Sequence, residues 1–246
     1  MANSKNSYRL FKASLFPALP YLLYSAQKVR QSFPIPPSIS EEIRFKTLSN
    51  KNSKLLILGE STAAGVGAED ISETLAGHFN KLFQNKYHIL NLGKNGIRAK
   101  ELWPYFHRTL KKEKGDFKGI LIFIGANDCF KLSSPLQFRS ALLKLIEQLE
   151  AHFNPEWIYL ADIPPVQLFP AFPPLLKYYL RNQQNFLCKE MEWIANKNPK
   201  IIFKKINLNL NADFFCKDQV HPSGKGYKAI ADFSFKCISE RLQIKP

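Results

Sequence analysis

Four short loops in this chain, each following an apolar run, carry hydroxyl, amide, carboxylate and imidazole side chains. The first is Gly59-Glu60-Ser61-Thr62-Ala63-Ala64-Gly65. Ser61 stands two residues past its apolar run, at the start of a helix-compatible stretch where backbone N–H groups are unpaired. Such a serine becomes a nucleophile when a base takes its proton. Residue 63 is Ala, so this is not the G-x-S-x-G elbow of α/β-hydrolases. Read alone, Ser61 or Thr62 serves equally well as a helix cap. The second loop, Asn91-Leu92-Gly93-Lys94-Asn95-Gly96, has glycines that let backbone approach a ligand, or simply turn the chain. In the third, Gly125-Ala126-Asn127-Asp128, an amide at the end of a buried run can donate to an oxyanion, or belong to an Asn-Asp turn.

The fourth loop is Asp218-Gln219-Val220-His221-Pro222-Ser223. A carboxylate and an imidazole three residues apart can meet, which sets the ring tautomer and stabilises the imidazolium. Pro222 holds His221 in extended backbone. Cys216, Asp218 and His221 could also begin a metal site, but the sequence offers no second ligand cluster to complete a shell. His78, His88, His107 and His152 have no comparable partners and read as surface or packing residues.

The elements that must position these loops are legible as an alternation. Apolar runs occur at 54–58, 87–92, 119–124, 157–161 and 200–204. Short unbroken runs of this kind suit strands buried on both faces. Helix-compatible stretches lie between and after them, at about 70–84, 100–112, 135–153, 175–196 and 226–242. Strand followed by helix, repeated, predicts a parallel sheet covered by helices on both sides, with the working site beyond the carboxyl ends of the strands.

Two segments stand outside that alternation. Residues 13–27 are uncharged and rich in Leu and Tyr, with Arg9 and Lys12 before them and Lys28 and Arg30 after. The run is short for a membrane span, Pro17 and Pro20 interrupt it, and Tyr24-Ser25-Ala26 is a poor signal-cleavage site. It therefore reads as an interfacial segment meeting an anionic membrane through residues 9–30, as a helix packed on the domain, or as a signal. A proline-rich connector, Phe33 to Pro37, follows, and a domain is expected over 45–246 with residues 1–44 as an appendage. The second segment, Ile163 to Pro174, holds five prolines together with Val166, Leu168, Phe169 and Phe172. It reads as an apolar wall for an acyl group, a lid, or a loop folded onto the core.

The chain has 246 residues with a formal net charge of +15 and 45% apolar residues. That composition excludes disorder, collagen-like repeats and a long coiled coil. The basic excess suits an anionic surface or substrate, and no nucleic-acid reading motif accompanies it, so nucleic acid is not expected as a partner. Four scattered cysteines permit a cytoplasmic or membrane-associated location.

Taken in order, Gly-x-Ser, the Asn-containing glycine turn, Gly-x-Asn-Asp and Asp-x-x-His-Pro resemble the blocks of the SGNH (GDSL) hydrolases, over about residues 54–242. The resemblance implies a flavodoxin-like three-layer α/β/α sandwich with a central parallel sheet of about five strands. It implies ester hydrolysis through an acyl-enzyme, without metal or organic cofactor. It makes Ser61 the nucleophile, His221 the base and Asp218 its orienting partner, with Ser61, Gly96 and Asn127 forming the oxyanion hole. Glu60 stands where the family usually has Asp. The expected substrate is a carboxylic or lysophospholipid-like acyl ester. A carbohydrate O-deacetylase and a non-catalytic membrane- or nucleic-acid-binding module are the alternatives.

Overall fold

Each apolar run becomes a strand of one sheet. The computed structural model describes residues 2–47 and 53–243; residues 48–52 and 244–246, which the expected 45–246 domain spans, lie outside the described residues. Strands β1 (Glu42–Phe45), β2 (Lys54–Gly59), β3 (His88–Gly93), β4 (Gly119–Phe123), β5 (Trp157–Leu160) and β6 (Ile201–Ile202) lie in the order β1-β3-β2-β4-β5-β6. All neighbours are parallel except β1, which runs antiparallel to β3.

Alternate residues of the central strands feed two cores. Leu56, Leu58, Ile120 and Ile122 face one side, where α3 (Ala99–Lys112), α5 (Pro135–Phe153) and α6 (Pro174–Ala195) pack. Leu55, Ile57, Leu121 and Phe123 face the other, under α2 (Leu75–Leu82) and α7 (Gly224–Leu242). Both faces are dry, and after Lys54 every residue of β2 and β4 is apolar, as a parallel sheet requires. The result is the expected three-layer α/β/α sandwich.

Four local expectations change. The sheet has six strands among the described residues. β1 was not anticipated, because Glu42 and Arg44 turn outward and only Ile43 is buried, too short an alternation to register. Since β1 pairs with β3 and Ile39 packs on the core, the sheet and its core take in residues before the expected domain start at 45. The run at 200–204 pairs with β5 only through Ile201 and Ile202, as suits a sheet edge flanked by lysines. A short helix, α4 (Ala126–Phe130), occupies the loop after β4.

The N-terminal segment is one helix, α1 (Ala2–Ser32), continuous through Pro17 and Pro20. The expected interruption does not occur because both prolines face outward. The carbonyls they leave without intrahelical partners, those of Ala13 and Phe16, belong to exposed residues that solvent reaches. The inward face, Phe11, Leu15 and Leu22, packs on Tyr179 of α6.

Candidate active site

The strand order reverses between β2 and β4: the chain leaves β2 for α2 on one face and β4 for α5 on the other. That divergence opens a crevice at the carboxyl ends of the two central strands. The loop after β2 carries Ser61 and the loop after β4 carries Asn127, so the topology alone sets the two side by side.

Ser61 is buried in a run of tight turns, closed by Ala64 N–H to Glu60 O (3.0 Å) and Val66 N–H to Ser61 O (3.1 Å). The helix expected here starts only at Leu75, and its cap is Thr74, whose hydroxyl accepts from Gly77 N–H at 3.2 Å. Neither Ser61 nor Thr62 is a helix cap. The turn is anchored to β3: Asn91, fully buried, donates its Nδ2 to Ala63 O at 2.8 Å. Gly93 lies so close that a Cβ there would sit 2.1 Å from Ala64 N. Gly96 differs. It has φ +79°, open space about its Cα, and a carbonyl that accepts from Lys131 Nζ at 2.7 Å. Gly93 is therefore a packing residue, while Gly96 presents backbone near the end of α4.

Glu60 spans the crevice. Its Oε1 accepts from Ala126 N–H (2.9 Å), and its Oε2 from Asn127 N–H (3.0 Å) and Asn127 Nδ2 (2.6 Å). The carboxylate thus satisfies the first backbone donors of α4 and grips the Asn127 amide by one of its two N–H bonds, leaving the other for a ligand. Burial pushes the Glu60 carboxyl up to about 7, against those three donors, and the Asp128 charge adds to the rise. Gly125 makes the turn into α4 at φ +127°, and a side chain there would strike Ile163. Asp128 is buried too. It accepts from Ala99 N–H (2.8 Å) and the Ser133 hydroxyl (2.7 Å), joining this loop to the start of α3.

The fourth loop forms the expected pair. His221 Nδ1 lies 2.5 Å from Asp218 Oδ2, and Asp218 Oδ1 accepts from His221 N–H (2.8 Å), Val220 N–H (2.9 Å) and Cys216 Sγ (3.1 Å). Burial opposes the Asp218 charge, but the His221 imidazole and these backbone donors outweigh it and bring the carboxyl down to about 2. With Nδ1 committed to Asp218, Nε2 is the ring nitrogen left to act as base. Cys216 N–H to His221 O (2.8 Å) and a bridge between Phe215 and Pro222 brace the loop. It rests on the Ser61 turn: a Cβ on Gly67 would meet Pro222 O at 2.5 Å, and Tyr227 donates its hydroxyl to Val66 O at 2.8 Å. Among the described residues, the Ser61 hydroxyl is not a hydrogen-bond partner of His221 in this resting arrangement.

The proline-rich loop, expected as an acyl wall, a lid or a loop folded onto the core, packs largely onto the core. Val166 and Phe169 are buried in the main core, and Phe172 packs on Phe169 and Phe130. Leu168 points out, 53% exposed, and Phe172 is half-buried. The prolines explain the burial, since they carry no N–H to leave unsatisfied when the loop presses into apolar surroundings. Gln184 Nε2 donates to Ile163 O (2.8 Å) and meets one remaining carbonyl. A small, partly open pocket of about 50 Å³ lies beside Glu60 and Thr62, lined also by Phe123, Tyr159, Ala161 and Phe233. The roles of Glu60 and Asp128 were not read from the sequence. The available signal was an acidic residue beside the candidate serine, facing a loop with an unpaired helix start.

Residues 57–229 match the GDSL-like lipase/acylhydrolase family. No curated protein matches the sequence. Solved structures with the same fold include the psychrotrophic esterase EstA from Pseudoalteromonas sp. (18% identity, 78% of this chain and 100% of that one, TM-score 0.61). TesA is alike at 18% identity (77% and 100%, TM-score 0.62). A carbohydrate acetylesterase family member from Sinorhizobium meliloti is alike at 14% (78% and 100%, TM-score 0.56). At such identities the likeness is one of fold. The family match covers the end of β2, strands β3 to β6, the crevice and all four loops, and the chain belongs to the GDSL-like lipase/acylhydrolase family.

Proposed function

We propose that the protein is a serine esterase that cleaves carboxylic esters through an acyl-enzyme. The observation that carries this reading is the buried Asp218–His221 pair, on a loop packed against the Ser61 turn and across from an Asn127 amide clamped by Glu60. In the mechanism, His221 Nε2 takes the Ser61 proton as Oγ attacks the ester carbonyl carbon. The carbonyl oxygen becomes an oxyanion facing the free N–H of Asn127 and the backbone N–H groups of Gly96 and Ser61. His221 returns the proton to the leaving alcohol as the ester C–O bond breaks. Water, deprotonated by His221, then attacks the acyl-serine and releases the acid. Asp218 keeps the ring oriented and stabilises the imidazolium.

A lipid-like acyl ester is the substrate class we favour, supported by the basic excess and by the apolar surface considered below. Acetyl esters of carbohydrates are the second reading, favoured by the small size of the pocket beside Thr62. A series of p-nitrophenyl esters from acetyl to decanoyl separates the two: turnover rising with chain length supports the first, and turnover confined to acetyl supports the second. Ser61→Ala is expected to fold normally and to lose at least about 1,000-fold in kcat on whichever ester is best, in line with removal of a nucleophile. Undiminished turnover, or no labelling of Ser61 by a fluorophosphonate probe, overturns the assignment.

A further inference from the structure

α1 uses only one of its sides. Phe11, Leu15 and Leu22 are buried on α6, where Tyr179 donates its hydroxyl to Ser14 O at 2.8 Å and Tyr8 meets the Phe186 ring edge-on at 5.1 Å. The opposite side of a helix held in this way is ordinarily polar. Here it is not. Phe16, Pro20, Leu23 and Tyr24, spaced three, four or one apart, make a continuous outward stripe, with Phe16 82% exposed and Leu23 and Tyr24 62% and 63%. Residues 13–26 contain no charged side chain, a length of about 21 Å along the axis. Arg9 and Lys12 close one end of this stretch, Lys28 and Arg30 the other, and no acidic residue occurs before Glu41.

We propose that this outward face of α1 docks the protein onto an anionic lipid bilayer, the helix lying in the headgroup plane. Three observations select a lipid surface. The apolar stripe is continuous, so it can sink into the acyl boundary. The basic residues sit at both ends of it, placed to meet headgroup phosphates. No helix among the described residues is long and apolar enough to cross a membrane, so the helix lies on the bilayer. The other flank of α1 borders the proline-rich loop. A groove of about 380 Å³ separates Tyr24 and Lys28 of α1 from Ala171 and Phe172 of the proline-rich loop. Phe172 touches Phe169, and Phe169 meets Phe215, the residue bridged to Pro222 beside His221. A short chain of aromatic contacts therefore runs from the groove beside α1 to the catalytic loop.

The test is flotation of the full chain with vesicles of phosphatidylcholine alone, or with about 30% phosphatidylglycerol, at about 0.1 M and about 0.5 M salt. Wild type is expected to float with the anionic vesicles and to be released by salt. The F16E/L23E variant is expected to float about 10-fold less, and R9Q/K12Q/K28Q/R30Q to lose the preference for anionic vesicles. Wild type left unbound with both compositions, or F16E/L23E floating as well as wild type, overturns the proposal. So does a wild-type dimer that F16E/L23E turns into a monomer without any vesicle binding, since the face would then serve a second copy of the chain. Turnover of p-nitrophenyl acetate by F16E/L23E, expected at the wild-type rate, confirms that the variant is folded. Ser61→Ala is expected to float normally, so docking and the esterase reading can fail separately.

Discussion

Glu60 is the residue on which the site's geometry turns. It gives two carboxylate oxygens to three N–H donors, two of them on Asn127. Glutamine has one acceptor oxygen, and its amide nitrogen would oppose one of those donors. Glu60→Gln is therefore expected to lower kcat by about 10- to 100-fold with little change in KM, because it loosens a donor that matters most in the transition state. Glu60→Asp keeps the charge with a shorter reach and is expected to fall between the two. A KM effect without a kcat effect would mean that Asn127 binds substrate rather than the oxyanion. The same carboxyl makes stability depend on pH. Its folded pKa, about 7, is raised above the unfolded value, so its contribution is complete below about pH 4.3 and is lost as pH rises through 7. Asp218, lowered to about 2, acts oppositely: its contribution is present above about pH 3.9 and is lost only as pH falls through 2. Urea titrations between pH 5 and pH 8 should then show wild type losing about 3 kcal/mol that Glu60→Gln does not lose. Equal slopes would place the titration elsewhere.

At the scale of elements, the two glycines of the second loop separate packing from presentation. Gly93 ends β3 against the backbone of the Ser61 turn, where no side chain fits and nothing nearby can yield. Gly93→Ala is expected to destabilise the fold by about 3 kcal/mol or more, as overpacking against backbone does. Gly96→Ala adds its methyl to open space and strains only its left-handed backbone, at a cost of about 1 kcal/mol. Melting curves of the two variants check the contrast, and equal losses would contradict it. The sequence showed two glycines after one strand but not which of them faced a neighbour. That distinction depends on Ala64, which lies 29 residues earlier in the chain. The same holds for the proline-rich loop. Its composition is apolar whether it lines a cleft or fills a core, and only the rings of Phe130 and Phe215 reveal that Phe169 and Phe172 pack inward.

For the molecule as a whole, α1 is an outer layer on an otherwise complete sandwich. Removing residues 2–32 uncovers Tyr179 and Phe186 but breaks no strand pairing. Such a chain is expected to keep its turnover of short soluble esters and to lose about 5 to 9 kcal/mol of stability at most, the scale of three buried apolar side chains. Loss of the cooperative transition in urea would instead make α1 part of the folding unit. The alternation of apolar runs and helical stretches was written in local periodicity, so strands, helices and the order of the loops could be read residue by residue. So could the Asp218–His221 pair, whose members are three apart. Tertiary structure alone decided that Glu60 would clamp an amide 67 residues away, that β1 would join the sheet, and that one side of α1 would remain uncovered. Such contacts depend on where the chain returns in space, and a pattern repeating every two or four residues carries no information about that return.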